Sequence, residues 1–419
     1  MRRLAEIAES KGHTVTGSDA AFGGHDSKNV EKAELVVYSA AVEQNNCELV
    51  RARQKGIPSL ERAEFLASLC AEYANTIALS GSHGKTTATA ITAEIFKGKY
   101  PTVHIGGDYP GCSERPCGTE FFITEACEYK KSFLRLHPML SVVLNTELDH
   151  TDFFKSEAEY FSAFVQFCAQ SKTAAVFGDD PALFKLAKQN GYTTFGFLSR
   201  NDYSAQKIIR TESGRVFNIY ERGKFLTQAE LNLVGEHNVL NALAGAVAAR
   251  SFGLSEKEIA DGIKRFSKVA RRFEFLGEVN GARVYSDYAH HPTEIVAMIL
   301  SARETGAKKV TVVFEPHTYS RTQSLYRPFA KSLSSADEIF LMPIYASRER
   351  SQEGIGSWLI LNEMRRIKKQ AVYFEGYDAL FSKLHKTVGE SQTIVFAGAG
   401  TIDEYARRFV FEFGKNAQE

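Results

Sequence analysis

Residues 76–87, with the sequence TIALSGSHGKTT, join a short apolar run to a glycine-rich turn that ends in Gly-Lys-Thr-Thr. The run Thr76 to Ser80 is typical of a buried strand, and the residues from Thr86 to Phe96 favour a helix. A strand that leads through glycines into a helix turns backbone N–H groups and the positive helix end toward a bound anion. The stretch therefore predicts a phosphate-binding loop, hereafter the phosphate loop, made of Gly81, Ser82, His83, Gly84, Lys85, Thr86 and Thr87.

Within the phosphate loop, Lys85 is expected to reach the outer phosphates of a nucleotide and Thr86 to offer its hydroxyl to Mg²⁺. The spacing departs from the full G-x-x-x-x-G-K pattern, because Leu79 stands where the first glycine is expected. A glycine-rich turn that only caps a helix is the alternative interpretation.

Helix and strand patterns alternate on both sides of this loop, which favours an α/β fold with parallel sheets. The alternation predicts three domains: residues 1–70, a central nucleotide-binding domain at 71–268, and a second parallel α/β domain at 269–419. The first domain opens inside a helix, with His13 to Gly17 as its first expected strand. A doubly wound domain normally begins with a strand and a glycine-rich turn, so the first domain is expected to be truncated at its start.

Composition excludes several classes of protein. The chain has 419 residues with 44% hydrophobic and 24% charged residues, as in ordinary folded domains. The formal net charge of +1 gives no bulk attraction to nucleic acid or anionic membranes. We therefore expect small-molecule partners, no nucleic acid and no membrane; the oligomeric state stays open.

The six cysteines have no zinc-ligand spacing, although Cys112 and Cys117 lie close together in sequence. We expect reduced thiols, which fits a cytoplasmic protein.

Acidic residues and a histidine follow two further predicted strands. Glu125 and Glu128 come after the run EFFIT, and Glu147, Asp149 and His150 come after LSVVLN. Since the carboxyl ends of parallel strands meet at one sheet edge, these residues are expected to converge on Thr86 as metal ligands. Ordinary acidic loop residues are the alternative.

Three more stretches carry candidate chemistry. SDYAHHPTE, residues 286–294, has two adjacent histidines before a helix-starting proline, and a capped helix start with surface histidines is its alternative interpretation. EPHTYSRT, residues 315–322, offers Arg321 and hydroxyls suited to a carboxylate or phosphate. Arg271 and Arg272 are further candidates for holding phosphate.

Taken in order, these motifs resemble the Mur ligases, the ATP-dependent amino-acid ligases of peptidoglycan synthesis. The matching stretches are GSHGKTT, EACEYKKSFL, NTELDH, GEHNVLNALA, RRFE, DYAHHPTEI and PHTYSRT. Nearly the whole chain is covered, and the short loop after EACEYKKSFL favours the members that add L-alanine to UDP-N-acetylmuramate. The resemblance implies a Rossmann-like first domain, a P-loop ATPase-like central domain and a Rossmann-like third domain.

The family's reaction is then implied: a substrate carboxylate takes the γ-phosphate of ATP, and an amino acid attacks the resulting acyl phosphate. The resemblance implies Lys85, His290, His291 and Arg321 as catalytic residues. It implies Thr86, Glu125 and His150 as Mg²⁺ ligands. Besides the phosphate loop, it places ATP at His237, Asn238, Asn241, Arg272 and Asp287. The substrates would contact Ser18, Asp19, Ser39, Arg62, His317, Tyr319 and Arg321.

The sequence departs from the family pattern at several positions. Cys127 and Lys130 replace two acids of the E-A-D-E-S-D motif, Ser286 replaces the first acid of D-D-Y, and Thr318 replaces an arginine. The chain also begins just past the strand and glycine-rich loop that bind the UDP diphosphate in the family. A misplaced start and a real truncation both stay open.

Two alternatives to the alanine-adding ligase remain at this point. One is a catalytically impaired remnant that still binds ATP, and the other is a sibling ligase that recycles murein tripeptide. The sequence leaves the amino-acid preference and any regulation open.

Overall fold

A computed structural model describes residues 1–19, 23–107, 109, 117–211, 214–347 and 349–416. Its strands form three sheets, with two, nine and seven strands in the described residues. Cys112 lies outside the described residues. In the described part of the chain, no helix combines the length and apolar character needed to cross a membrane.

The first sheet is small and parallel. Its elements and the helices around it are α1 (Arg2–Ser10), a 3₁₀ helix (Ser27–Val30), β1 (Val36–Tyr38), α2 (Cys47–Gln54), β2 (Ser59–Glu61) and α3 (Arg62–Ala71). Strands β1 and β2 pair in parallel from Val36 opposite Ser59 to Tyr38 opposite Glu61. The predicted strand at His13 to Gly17 is wrong: this segment is irregular, and Val15 alone among its side chains is partly covered.

The nine-stranded sheet contains the phosphate loop. Its elements are β3 (Asn75–Ser80), α4 (Lys85–Ile95), 3₁₀ helices at Phe96–Lys99 and Tyr129–Arg135, β4 (Thr102–His104), β5 (Phe121–Glu125), β6 (Leu140–Val143), α5 (Glu157–Ala169), β7 (Thr173–Phe177), α6 (Pro181–Asn190), β8 (Thr193–Gly196), β9 (Tyr203–Arg210), β10 (Arg215–Glu221), β11 (Lys224–Leu231), α7 (Glu236–Ser251) and α8 (Glu256–Arg265). Strands β10 and β11 form an antiparallel hairpin, and a capping box between Ser255 and Glu258 starts α8.

The strand order β11-β10-β9-β8-β7-β6-β3-β5-β4 places β3 between β5 and β6, with which it runs parallel. Residues Thr76 to Ser80 of β3 are all buried, because helices cover both faces of the sheet. One core lies on the side of α4 and α7, and the other lies on the side of α5. The carboxyl ends of β3, β5 and β6 therefore meet at one edge, beside the phosphate loop.

The seven-stranded sheet forms the third part. Its elements are β12 (Glu274–Val279), β13 (Ala282–Asp287), α9 (Pro292–Glu304), β14 (Lys309–Phe314), α10 (Tyr319–Leu333), β15 (Glu338–Leu341), α11 (Trp358–Arg366), β16 (Val372–Tyr373), α12 (Tyr377–Thr387), β17 (Gln392–Ala397), α13 (Ile402–Phe413) and β18 (Lys415–Asn416). The order is β16-β15-β14-β17-β13-β12-β18, parallel from β16 to β13. Asn280 and Gly281 form the turn between β12 and β13, with φ values of 52° and 81° that suit a tight hairpin.

Candidate active site

The phosphate loop leaves β3 and enters α4, as its sequence predicts. Gly84 precedes the helix with a φ of 82°, a backbone conformation that favours glycine. A Cβ at Gly84 would lie 2.5 Å from Oδ1 of Asn241, so α7 packs directly on the loop. Asn241 in turn donates to Oδ1 of Asn238 at 3.1 Å. The family-implied residues of α7 are thereby placed beside the phosphate loop.

Lys85 is held by a buried carboxylate. Its Nζ lies 2.9 Å from Oε2 of Glu128, whose side chain is fully buried, and it also donates to the carbonyls of Gly81 and Ser82. Burial alone would lower the pKa of Lys85, but the charge of Glu128 raises it above its ordinary value. The lysine is therefore a permanent cation at the mouth of the loop.

Glu128 also contacts His150, whose Nε2 lies 3.3 Å from Oε1. Burial would raise the pKa of Glu128, but Lys85 and His150 hold it below its ordinary value. Glu128 is one of the metal ligands predicted at this edge. In the structure its carboxylate instead contacts Lys85 and His150.

Glu125 closes β5 and keeps an uncommitted oxygen. Its Oε1 is buried and has no hydrogen-bond partner among the described residues. Thr86 and Glu125 face consecutive glycines, because a Cβ at Gly106 would lie 2.9 Å from Oε2 of Glu125 and one at Gly107 would lie 2.9 Å from Cγ2 of Thr86. A buried carboxylate oxygen without a donor suits a hard cation such as Mg²⁺, whereas the Thr86 atom that faces Gly107 is its methyl carbon.

The expected convergence of Glu147 and Asp149 on Thr86 is wrong. Asp149 is buried and accepts from Nη2 of Arg321 at 2.8 Å and from Nε at 3.2 Å. Oε2 of Glu147 accepts from the hydroxyl of Thr293 at 2.6 Å and lies 3.3 Å from Nε2 of His83. Both acids therefore contact the seven-stranded part. Asp149 pairs there with the positive charge of Arg321, and Glu147 accepts from the Thr293 hydroxyl.

A second junction between the two large sheets is centred on His83 of the phosphate loop. Its Nδ1 lies 3.3 Å from Oε1 of Glu294, and its ring centroid lies 4.7 Å from that of His291. Burial alone would lower the pKa of His83, but the carboxylates of Glu294 and Glu147 raise it to about 9. HHPTE is also a capped helix start, as the alternative interpretation has it, because Glu294 accepts from the backbone N–H of His291.

Arg272 is placed at the phosphate loop from the other side. Its Nη2 donates to Oγ1 of Thr86 at 3.3 Å, and its Nη1 lies 3.9 Å from Oε1 of Glu294. The guanidinium also lies 5.0 Å from the centroid of the Tyr288 ring. Arg271, the other predicted phosphate ligand, donates instead to the carbonyls of Gly398 and Gly400.

Three histidines of the third part, His290, His291 and His317, are neutral. Burial lowers the pKa of His290 to about 4 and that of His291 below its ordinary value. Burial and then the charge of Arg321 lower the pKa of His317 to about 3. Nδ1 of His317 lies 2.9 Å from Nη1 of Arg321. Tyr319 begins α10 beside them.

Asp287 and His237 have local partners. Asp287 accepts from the backbone N–H groups of Phe273 and Ala289, both at 2.7 Å, and burial raises its pKa to about 6. Burial lowers the pKa of His237 to about 4. The charge of Arg272 acts on both groups, and both hydrogen bonds of Asp287 come from backbone N–H groups.

The predicted substrate residues of the first part lie in a different cluster. The Ser18 hydroxyl donates to Oε2 of Glu48 at 2.8 Å, with Nδ1 of His25 also 3.2 Å from that oxygen. Ser39 accepts from the N–H of Ala41 at 3.4 Å, and Arg62 begins α3. Asp19 follows Ser18 directly and accepts through its carbonyl from Gly24.

The departures from the family pattern have local accommodations. Ser286, in place of an acid, donates to Oδ1 of Asp403 at 2.6 Å, so α13 supplies a carboxylate at that position. Burial raises the pKa of Cys127 to about 11, which keeps it a neutral thiol. Thr318 precedes α10 with a φ of 66°, a strained conformation for a β-branched residue.

Sequence reasoning missed the roles of Glu294, Asp149 and Glu147 as interdomain partners. Only Glu294 carries a local signal, because it lies three residues after His291 at a helix start. The others pair with residues more than 140 positions away, as in the 146 positions between Glu147 and Thr293.

A nucleotide-type phosphate loop, faced by arginines and histidines of a second α/β sheet, defines an ATP-dependent enzyme of the three-domain α/β class. Comparison with known proteins identifies the family. Three family models match: the Mur ligase family catalytic domain at residues 1–74, the Mur ligase middle domain at 79–249, and the Mur ligase glutamate ligase domain at 271–400. The chain belongs to the Mur ligase family.

Individual relatives are similar over nearly their whole length. The UDP-N-acetylmuramate–L-alanine ligase of Caldanaerobacter subterraneus is 35% identical, over 98% of this chain and 95% of the relative. The ligase of the same name from Nitratidesulfovibrio vulgaris is 36% identical, over 98% and 96%. The crystal structure of the UDP-N-acetylmuramate–alanine ligase of Thermotoga maritima aligns with a TM-score of 0.81 at 27% identity, over 98% of this chain and 96% of that one.

A more distant structure shares the fold. The MurF ligase of Thermotoga maritima, solved in complex with ADP, aligns with a TM-score of 0.70 at 16% identity, over 92% of this chain and 96% of that one.

Proposed function

We propose that the chain joins L-alanine to the lactyl carboxylate of UDP-N-acetylmuramate at the expense of ATP, in the synthesis of peptidoglycan precursors. The relatives that are 35–36% identical over almost the entire chain bear the name of this activity. The observation that carries the proposal is the junction at the phosphate loop. There Arg272 donates to Thr86, the ring of His291 lies beside that of His83, and Arg321 pairs with Asp149 from the loop after β6.

We assign ATP to the phosphate loop, residues 81–87, with Lys85 and Arg272 at its phosphates. The two cations lie at the loop, and Arg272 already contacts the Thr86 hydroxyl. His237, Asn238 and Asn241 would hold the adenine, because α7 packs on Gly84. Asp287 would hold the ribose, since each of its carboxylate oxygens accepts one backbone N–H and can accept a further donor.

Mg²⁺ would be held by Thr86, Glu125 and His150. The orphaned oxygen of Glu125 is the observation in favour, since a buried carboxylate oxygen without a donor is stabilised by a cation. When bound, Mg²⁺ supplies charge neutralisation between the terminal phosphates of ATP.

The chemistry has two steps. A carboxylate oxygen of the sugar nucleotide attacks the γ-phosphorus, the bond to the bridging oxygen of ADP breaks, and an acyl phosphate forms. The amine of L-alanine then attacks the acyl carbon, phosphate leaves, and the amine loses a proton. Lys85 and Arg272 offset the charge that builds on the transferred phosphoryl group.

His290 and His291 are suited to the second step. Both imidazoles are neutral at neutral pH, so either can accept the amine proton. Arg321 would position a substrate carboxylate with His317 and Tyr319 beside it, in exchange for its contact with Asp149.

The sugar nucleotide would bind the first part of the chain through Ser18, Asp19, Ser39 and Arg62. We propose domain bounds of 1–70, 71–268 and 269–419, with loops of the second and third domains completing one site on closure. The five described cysteines are free, which supports a reducing, cytoplasmic location.

The test is release of phosphate from ATP and Mg²⁺ with each substrate added or omitted. We expect release that requires both UDP-N-acetylmuramate and L-alanine. Release that needs the sugar nucleotide and a murein tripeptide, but not alanine, would contradict the proposed acceptor. ATP binding without any release would contradict the proposed activity.

A further inference from the structure

Three potential metal ligands meet at the junction between the two large sheets. They are His83 of the phosphate loop, Glu147 of the loop after β6, and His291 before α9. One ligand atom from each lies within 4.8 Å of the other two. Nε2 of His83 lies 3.3 Å from Oε2 of Glu147, and Nδ1 of His291 lies 3.9 Å from the same oxygen.

These distances are close to those around a small tetrahedral ion. Ligands on Zn²⁺ at about 2.0–2.1 Å are roughly 3.3 Å apart. The pair of His83 and Glu147 already has this spacing, whereas Nδ1 of His291 lies about 0.6 Å beyond it from Oε2 of Glu147, and the three ligand atoms lie within 4.8 Å of one another. The third ligand is close enough for a rotamer adjustment to complete the set.

None of the three nitrogen atoms is committed to a hydrogen bond within the part of the chain that the structure describes, and an ion would displace the proton that Glu294 and Glu147 stabilise on His83. Nδ1 and Nε2 of His83 and Nδ1 of His291 are buried, and none has a hydrogen bond of good geometry among the described residues. Glu294 lies 3.3 Å from the Nδ1 of His83, on the ring edge away from Glu147. A carboxylate on the far nitrogen is the outer contact that orients metal-bound histidines.

We propose that His83, Glu147 and His291 form a binding site for a borderline divalent ion, best matched by Zn²⁺, that is separate from the proposed Mg²⁺ site. Two imidazoles and one carboxylate favour Zn²⁺ or Co²⁺, whereas Mg²⁺ takes oxygen ligands.

The site links two parts of the chain. His83 and Glu147 belong to the nine-stranded part and His291 to the seven-stranded part, so an ion here fastens one to the other. It also occupies the phosphate loop. A bound ion is therefore expected to raise the thermal stability of the protein and to oppose opening between catalytic cycles.

The experiment uses the full chain, freed of metal with a chelator and held in excess Mg²⁺. Co²⁺ is titrated as a spectroscopic probe, because tetrahedral Co²⁺ with nitrogen and oxygen ligands absorbs in the visible. We expect one equivalent to bind, and one equivalent of Zn²⁺ to abolish the absorption. Thermal unfolding with and without Zn²⁺ gives a second readout.

Glu147→Gln and His291→Asn are the test variants, and Glu125→Gln and His13→Asn are the matched controls. Both test variants should lose the Co²⁺ absorption and the Zn²⁺-dependent rise in melting temperature, while both controls keep them. Circular dichroism without metal confirms that each variant is folded.

Three results would overturn the proposal. The first is no Co²⁺ absorption in the wild-type protein, which would mean that His83 is only a protonated imidazole between the carboxylates of Glu147 and Glu294. The second is absorption that survives both test variants. The third is absorption lost in Glu125→Gln, which would place the probe in the Mg²⁺ site. All three are independent of catalytic activity, so failure of the proposed ligase function gives a different signature.

Discussion

The guanidinium of Arg321 contacts the carboxylate of Asp149 through both Nε and Nη2, at 3.2 and 2.8 Å, across 172 positions of sequence. Both side chains are buried, with exposed fractions of 9% and 3%. Burial would raise the pKa of Asp149, but the charge of Arg321 holds it well below its ordinary value. The ion pair therefore joins the nine-stranded part to the seven-stranded part over the whole neutral pH range.

Breaking this pair should be costly. Asp149→Asn leaves a buried guanidinium without its counter-charge, and we expect the free energy of unfolding to fall by about 3 kcal/mol. Adding Arg321→Met should restore most of that loss, because the uncompensated charge is gone. Chemical denaturation of the wild type, the two single variants and the double variant measures the coupling between the two side chains. Asp378→Asn, in a surface pair with Arg408 whose side chains are 85% and 46% exposed, should cost at most about 1 kcal/mol. Additive effects of Asp149→Asn and Arg321→Met would contradict the coupling.

The sequence predicted the parts of the site that are local. TIALS and GSHGKTT contain their strand, turn and helix in one stretch, and α9 begins at the predicted Pro292. The fold class follows from the same local alternation of helix and strand.

The pairings across the site were not predictable, because they depend on tertiary distance. Asp149 and Glu147 look like metal ligands after a strand, yet their partners lie in a different sheet. The segment at His13 to Gly17 has a strand-like pattern but is mostly exposed, with no described strand beside it. A sequence pattern does not predict a strand or an ion pair when the partner strand or the counter-charge lies far away in the sequence.

Lys85 should contribute to the rate more than to folding. Lys85→Met removes the cation at the proposed phosphates and keeps the length of the side chain, so we expect kcat to fall by about 10²- to 10³-fold. Lys131→Met, at a lysine that is 39% exposed and paired on the surface with Glu159, is the control and should leave kcat unchanged. Steady-state phosphate release measures both. A kcat for Lys85→Met within twofold of the wild type would rule out the assigned role.

Glu125 should control the Mg²⁺ requirement. Glu125→Gln replaces the orphaned oxygen by a neutral amide, so the Mg²⁺ concentration for half-maximal activity should rise by roughly 10-fold or more. Activity as a function of Mg²⁺ at saturating ATP measures the change. Glu157→Gln, on the exposed first turn of α5, should leave the Mg²⁺ curve in place. An unshifted curve for Glu125→Gln would move the metal to other ligands.

His104 should make the protein sensitive to acid. It ends β4 in a buried position, with Nδ1 2.9 Å from Oγ1 of Thr124. Burial, and then the charge of Arg62, lowers its pKa to about 3. The folded state therefore leaves His104 neutral, while the unfolded chain takes up a proton below its ordinary pKa of about 6.5. Stability is present above that pH and is lost as the pH falls toward 3, by about 2 kcal/mol at pH 5.

His104→Asn tests this directly, because asparagine keeps a polar atom for Thr124 but does not titrate. We expect the wild type to lose about 2 kcal/mol more than the variant between pH 7 and pH 5, measured by urea denaturation at both values. Thr102→Val removes a buried hydroxyl from the same strand without changing any titrating group, so its stability difference from the wild type should be equal at the two pH values. An equal loss in wild type and His104→Asn would mean that another buried group carries the acid sensitivity. His237, whose pKa burial also lowers, would then be the next residue to replace.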